Sequence, residues 1–434
     1  MKKFIKGLKN EVSRRQMASF LAKGCLGVSV LPTLAGGNKA QAAKSKDSTK
    51  DVGPAGKGQR VIYLYMSGGM THIDTFDPKP GAATNGPTKA IKTKTPGYQM
   101  GSHFVKLAKN SDKFAVINSM STTTGAHEQG RYYMHTAYPM RGSIKHPGIG
   151  SWLVKLDGKK NDILPPNVVI GGGSGAATAG FLETKYAPLP LSNGRSGLPN
   201  SKMRVSDEEF RTRLELADAF DKPFRRHYKQ KQVRAYTNLY ADTIKLMKST
   251  DLDVFDITKE DQKTQDAYGN SGIGQGCLLA RRLIEQDVRA VEVTMGGWDT
   301  HTNNFTAMDN QLPQLDQALG TLFEDLETKG LLESTVVVLA TEFGRTPRIN
   351  LNTGRDHFPS AFSCLIGGGG IKGGQAVGKT NAEGTKVVKD KVSVPDFNAS
   401  IGHALGLDLD KVIHSRSGRP FTVANKGKPI KQLF

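Results

Sequence analysis

Six short runs of apolar residues stand out along the chain: Val61–Met66, Phe114–Asn118, Val168–Ile170, Ala290–Met295, Thr335–Ala340 and Ala361–Ile366. Each is three to six residues long, rich in β-branched or aromatic side chains, and ends at glycine or polar residues, which is the signature of strands buried on both faces. Between the fourth and fifth runs, Leu312, Leu315, Leu319, Leu322 and Leu326 recur at spacings of three and four, the period of a helix with one apolar stripe. Strand, amphipathic helix, strand is a βαβ unit, and it predicts a three-layer α/β fold: a mainly parallel sheet with helices on both faces.

From Ser206 to about Lys248 the pattern becomes helical and highly charged, with Asp207, Glu208 and Glu209 following Ser206 as at a helix start. This predicts a helical insertion beside the sheet, spanning about 205–270. The stretch Gly367–Val394 is rich in Gly and Lys and predicts a hairpin or a mobile loop. No internal repeat is evident. Gly373–Thr380 fits G-x-x-x-x-G-K-[ST], but the residues after it are broken by Gly384 rather than helical, so the phosphate-cradling reading is set aside.

The first 42 residues read differently from the rest. Lys2, Lys3, Lys6 and Lys9 precede Ser13-Arg14-Arg15-Gln16-Met17, a weakly apolar run to Ala35, and Ala40-Gln41-Ala42. Charge, apolar run and small-residue exit in that order predict a twin-arginine signal peptide over 1–42, and hence a periplasmic or secreted protein handled by the twin-arginine export machinery. Residues 43–60 are polar and Gly/Lys-rich, a flexible leader, and 61–434 are expected to form one α/β domain. No later stretch is long and apolar enough to span a membrane.

The whole chain carries 60 Lys+Arg against 40 Asp+Glu, a net +20. Residues 1–42 hold eight of the basic residues and one Glu, so the remainder carries +13. Such a balance suits anionic partners and equally a solubilised surface. The basic residues are dispersed and no recognition helix or stacking motif appears, which argues against nucleic acid. Only Cys25, Cys277 and Cys364 occur, too few for a disulfide framework.

Open parallel sheets place their chemistry beyond the carboxyl ends of the strands. Here those positions are polar and specific: Gly68-Gly69-Met70-Thr71-His72-Ile73-Asp74 after the first run, Gly296-Gly297-Trp298-Asp299-Thr300-His301 after the fourth, and Thr341-Glu342-Phe343-Gly344-Arg345, then Arg355-Asp356-His357-Phe358-Pro359, after the fifth. Imidazole and carboxylate together suit zinc, manganese or iron. Asp299, His301, Glu342, Asp356 and His357 are the candidate ligands.

These stretches, with Ser119–Trp152, Gly180-Phe181-Leu182 and Gly367–Gly374, resemble the bacterial family known as domain of unknown function 1501, which is similar to the alkaline phosphatase and sulfatase superfamily. The resemblance implies an alkaline phosphatase-like fold and one divalent ion, with zinc, manganese or calcium as candidates. Asp299 and His301 resemble the superfamily's first ligand pair. Glu342 stands where an Asp would, Phe343 where a ligating His would, and His357 resembles the final His, with Asp356 beside it. His127-Glu128-Gln129-Gly130-Arg131 lines up with the sulfatase pattern C/S-x-x-x-R. That makes Arg131 an anion-binding candidate and puts His127 at the nucleophile position, as nucleophile, general base, metal ligand or helix-start residue; Thr122, Thr123 and Thr124 are alternative hydroxyls. Arg345 is a second candidate clamp, and His72 or Asp74 could reach back toward the metal. The implied activity is hydrolysis of a sulfate or phosphate ester, of a small molecule or a polysaccharide. The alternative is a catalytically degenerate member that binds anionic glycans or an envelope partner.

Overall fold

The computed structural model describes residues 52–172, 178–201, 205–228, 237 and 241–434; the stretch 1–42 expected to be a signal peptide lies outside them. Among the described residues the central sheet has nine strands: β1 (Arg60–Met66), β2 (Phe114–Ser121), β3 (Asn167–Ile170), β4 (Leu189–Leu191), β5 (Ala290–Met295), β6 (Thr335–Ala340), β7 (Phe362–Gly368), β8 (Gln375–Val377) and β9 (Val392–Ser393). Their order is β8-β2-β7-β6-β1-β5-β3-β4, and β9 also pairs with β2. β1 lies parallel between β5 and β6, with Val61 opposite both Ala290 and Val336. Only β7 runs against its neighbours, β2 and β6. The edge strand β4 accommodates Pro190, whose missing N–H is harmless where no further strand pairs.

Alternate residues of β1 enter two separate cores. Ile62, Leu64 and Met66 face the helices α4 (Gly272–Glu285) and α5 (Asn304–Thr328), whose Leu312, Leu315, Leu319, Leu322 and Leu326 are buried there. Val61, Tyr63 and Tyr65 face the other side, covered by α1 (His127–Thr136), α2 (Ile149–Asp157) and α6 (Val394–Ala404). Both faces are therefore dry, as the continuous apolar runs require. The insertion contains α3 (Asp207–His227), capped by the Ser206 hydroxyl accepting from Glu209 N–H, and none of its residues is buried. Among the described residues no helix is long and apolar enough to cross a membrane.

Of the two forms expected for 367–394, a hairpin or a mobile loop, the hairpin is the one present: Lys379–Thr380 pairs antiparallel with Val387–Lys389, and the stretch also supplies β8 and β9. Gly373–Thr380 thus sits on an edge strand with no helix after it. Residues 53–59, read as part of a flexible leader, are tied down by backbone bonds from Gly56 to His403, Lys57 to Gly369, Gly58 to Ala404 and Gln59 to Ser334.

Candidate metal centre

The parallel arrangement brings the carboxyl ends of β1, β2, β5 and β6 to one edge of the sheet. β5 delivers Asp299 and His301, and β6 delivers Glu342. The chain after β6 makes a two-residue antiparallel pair, Gly344–Arg345 with His357–Phe358, which sets His357 directly across from Arg345. β2 leads through Thr122–Ala126 into α1, whose first residue is His127. Gly68, with φ at +124°, lets β1 turn away here; a Cβ would stand 2.4 Å from the Asp299 amide nitrogen.

One carboxylate oxygen, Asp299 Oδ1, is the meeting point. His127 Nε2 lies 3.3 Å from it, His301 Nε2 3.2 Å and His357 Nε2 3.2 Å. His301 Nε2 and His357 Nε2 are 3.0 Å apart. Each ring's other nitrogen is fixed by an acceptor: His127 Nδ1 by Glu342 Oε1 at 2.8 Å, His301 Nδ1 by Asp356 Oδ1 at 2.8 Å, and His357 Nδ1 by the Gly125 carbonyl at 2.6 Å. A carbonyl or carboxylate oxygen cannot donate, so the proton of each neutral ring sits on Nδ1 and the lone pair on Nε2. Three lone pairs then face one another and a carboxylate. His127 Nε2 is buried without a hydrogen-bond partner. Such an arrangement is repulsive unless a proton or a metal ion lies among the nitrogens, and three imidazoles with one carboxylate match the donors of a four-coordinate zinc site, each ring oriented by an outer acceptor. Ligand atoms of His127, Asp299 and His357 all lie within 4.8 Å of one another.

The support behind the cluster is buried while its face is open. Glu342 and Arg345 are 1% and 0% exposed, whereas Asp299 and His301 are about half exposed. Glu342 takes three donors besides its neighbour Thr341: Gly68 N–H at 2.8 Å and His127 on Oε1, and Tyr65 O–H at 2.8 Å on Oε2. Burial pushes its carboxyl up, but these bonds outweigh burial and hold it below the ordinary range. Asp299 is likewise raised by partial burial, but Arg345, His357 and His127 together bring it down to about 2. The hydrogen bond to Glu342 lifts His127 above the ordinary imidazole value, while burial depresses His357. Phe343, which cannot ligate, packs its ring 4.9 Å from that of His127 and 4.8 Å from that of His357, a wedge that sets the two imidazoles.

Of the residues singled out in the sequence, His127, Asp299, His301 and His357 converge, with Glu342 and Asp356 one layer behind them as acceptors. Other candidates stand elsewhere or do other work. Asp74 is buried against Arg355, accepting from Nε at 2.8 Å and Nη2 at 3.0 Å, and also from Thr88 and Asn304. Its charge is neutralised there rather than offered to an ion. Arg345 is no clamp for a substrate: its donors go to the carbonyls of Gly68, Gly69 and Arg355 and to Asp299. Arg131, one turn into α1 and half buried, makes no side-chain hydrogen bond or ion pair among the described residues, so its guanidinium is available. Thr124 Oγ1 accepts from Ala126 N–H, and His72 is buried against the Gly384 carbonyl. Tyr65 and the Gly125 carbonyl escaped the sequence reading, the first because it reads as an ordinary strand residue, the second because backbone atoms leave no trace in residue type.

Residues 58–434 match the family model described as "Protein of unknown function (DUF1501)". No curated protein matches the chain. Among solved structures, the chain is similar to the lipoteichoic acid synthase LtaP from Listeria monocytogenes (10% identity, 83% of this chain and 75% of that one, TM-score 0.37). It is similar to the PsFucS1 sulfatase from Pseudoalteromonas sp. (13%, 83% and 69%, 0.35) and to the alkaline phosphatase from the Antarctic bacterium TAB5 (12%, 76% and 96%, 0.33).

Proposed function

On the premise that this chain belongs to the DUF1501 family, we propose that it is an exported, metal-dependent hydrolase of sulfate or phosphate esters. The observation that carries the proposal is the convergence of three imidazole lone pairs and one carboxylate oxygen with every outer nitrogen fixed. His127, Asp299, His301 and His357 would hold one divalent ion, which when bound supplies Lewis acidity toward the ester oxygen and makes a nearby water more acidic.

The chain's own residues do the rest. Glu342 and Asp356 keep the Nδ1 protons of His127 and His301 in place, so that Nε2 stays free to ligate. Arg345 holds Asp299 ionised and aimed at the centre. Arg131, without a protein partner, offers two parallel N–H donors to the anion's oxygens. In this reading His127 is a ligand, not the attacking group.

A second reading, anion binding without turnover, rests on one observation: among the described residues no serine, threonine or cysteine side chain is hydrogen-bonded to His127, Asp299, His301 or His357. The test is elemental analysis of the exported protein together with turnover of aryl sulfates, phosphomonoesters and phosphodiesters under several divalent metals. One ion per chain and ester hydrolysis, both lost in Asp299→Ala and His357→Ala, is the expected result. Metal bound with no turnover moves the conclusion to the binding reading, and a protein that retains no metal refutes the centre.

A further inference from the structure

Two stretches far apart in sequence contain no carboxylate side chain: the 28 residues between Glu128 and Asp157, and the 24 residues from Lys411 to Phe434. The fold packs them together at the far end of α1. Tyr138 O–H donates to the Thr422 carbonyl at 2.9 Å and accepts from Thr422 N–H at 3.1 Å, Asn425 donates to the Ala137 carbonyl, and Arg419 donates to Ser143 Oγ at 3.4 Å. The result concentrates positive charge. Arg141 and Lys145 from one stretch and Arg416 and Arg419 from the other are all exposed, and none forms an ion pair among the described residues.

Four cations on adjoining loops repel one another and favour a multivalent anion. Three are arginines, whose planar donors match sulfate and phosphate oxygens in pairs. The local field is also felt within the patch: burial first, and the charge of Arg141 second, bring His146 down to about 4. The aromatic rings of the patch are engaged with one another. Tyr138 stacks on His146 at 4.2 Å and Phe421 meets His146 edge-on at 4.8 Å, with Tyr138 and His146 buried. These rings face one another rather than solvent, which favours a ligand read by its charges.

Position completes the argument. α1 begins at His127 in the metal centre and ends at the patch, ten residues later. At 1.5 Å per residue that is about 15 Å, with Arg131 between. We propose that Arg141, Lys145, Arg416 and Arg419 form a docking surface for a sulfated or phosphorylated polysaccharide, which holds the polymer several units away from the ester group presented to the centre. As a statement about substrate it rests on the ester hydrolysis proposed above; as a statement about binding it does not.

The experiment measures binding of dextran sulfate, phosphorylated dextran and uncharged dextran to the protein as isolated across a salt series, with single-stranded DNA as competitor. Two double variants on different loops, Arg141→Glu/Lys145→Glu and Arg416→Glu/Arg419→Glu, are compared with wild type, and thermal melting checks their fold. Wild type should bind the charged dextrans and not the neutral one. Each folded double variant should lose at least tenfold in affinity and show a shallower salt dependence, with unchanged metal content and unchanged turnover of small aryl esters. Charged-polymer binding that survives in both variants overturns the proposal, as does DNA binding tighter than any polysaccharide. Failure of the ester chemistry shows separately, as metal-loaded protein that binds dextran sulfate through these four residues yet hydrolyses no ester.

Discussion

Replacing Glu342 by Gln changes one atom's charge in a site whose shape is otherwise kept. Gly68 N–H and His127 Nδ1 both point at Oε1, so the glutamine oxygen must take that place, and its NH2 then faces Tyr65, whose hydroxyl can rotate to accept. All three contacts survive, but each becomes a neutral hydrogen bond, worth about 1 kcal/mol less than one to a charged group. The imidazole of His127 loses the anion that makes its Nε2 basic. Loss of such an outer carboxylate weakens metal binding by roughly 10–100-fold, about 1.4–2.7 kcal/mol. The assay is competition for zinc against a chelator of known affinity at neutral pH, with circular dichroism and thermal melting to establish that the variant is folded. Tyr65→Phe removes only the contact on Oε2 and should weaken binding by a smaller factor. If folded Glu342→Gln holds zinc within twofold of wild type, the claim that Glu342 sets the donor strength of His127 is refuted.

Proton and metal compete for the same Nε2 atoms, and His127 is held above the ordinary imidazole value of about 6.5 by Glu342. Metal affinity should therefore be fully developed above that elevated value and fall as the pH drops through it, with the fall displaced to lower pH in Glu342→Gln; zinc titrations across pH 5 to 8 read the displacement. Asp74→Ala strands the buried guanidinium of Arg355, which should cost about 3–5 kcal/mol of stability in denaturant melts while leaving metal per chain unchanged.

The strands and the leucine-striped helix were legible because burial on both sheet faces leaves uninterrupted apolar runs, and a helix covering one face leaves a period of three to four. The convergence of Asp299, His301 and His357 was legible for a related reason: whatever follows a buried strand emerges at the same sheet edge as its neighbours. Partner choice was not. Arg345 and Arg355 carry the residue type of a surface clamp, and only three-dimensional packing shows the first bonded to Gly68, Gly69 and Asp299 and the second neutralising Asp74. The same holds for Glu342, whose distance from the centre is decided by which nitrogen of His127 meets it. In the stretch after Gly367 the hairpin was legible but the sheet strands were not, because its glycines suit a loose loop, yet they permit the close approaches by which β8 and β9 join β2.

The innermost strand, β1, is among the first pieces of the body to be synthesised, yet both of its neighbours come late: β5 opens at Ala290 and β6 at Thr335. Roughly 270 residues separate Met66 from Thr335, so at about 5–20 residues per second the ribosome needs some 13 to 54 seconds before the sheet can close around it. Until Ala290–Met295 emerges, for most of that interval, Val61–Met66 has neither lateral partner in place, and a nascent chain of this design depends on something else, a chaperone or a transient collapse, to keep that segment from pairing with strangers.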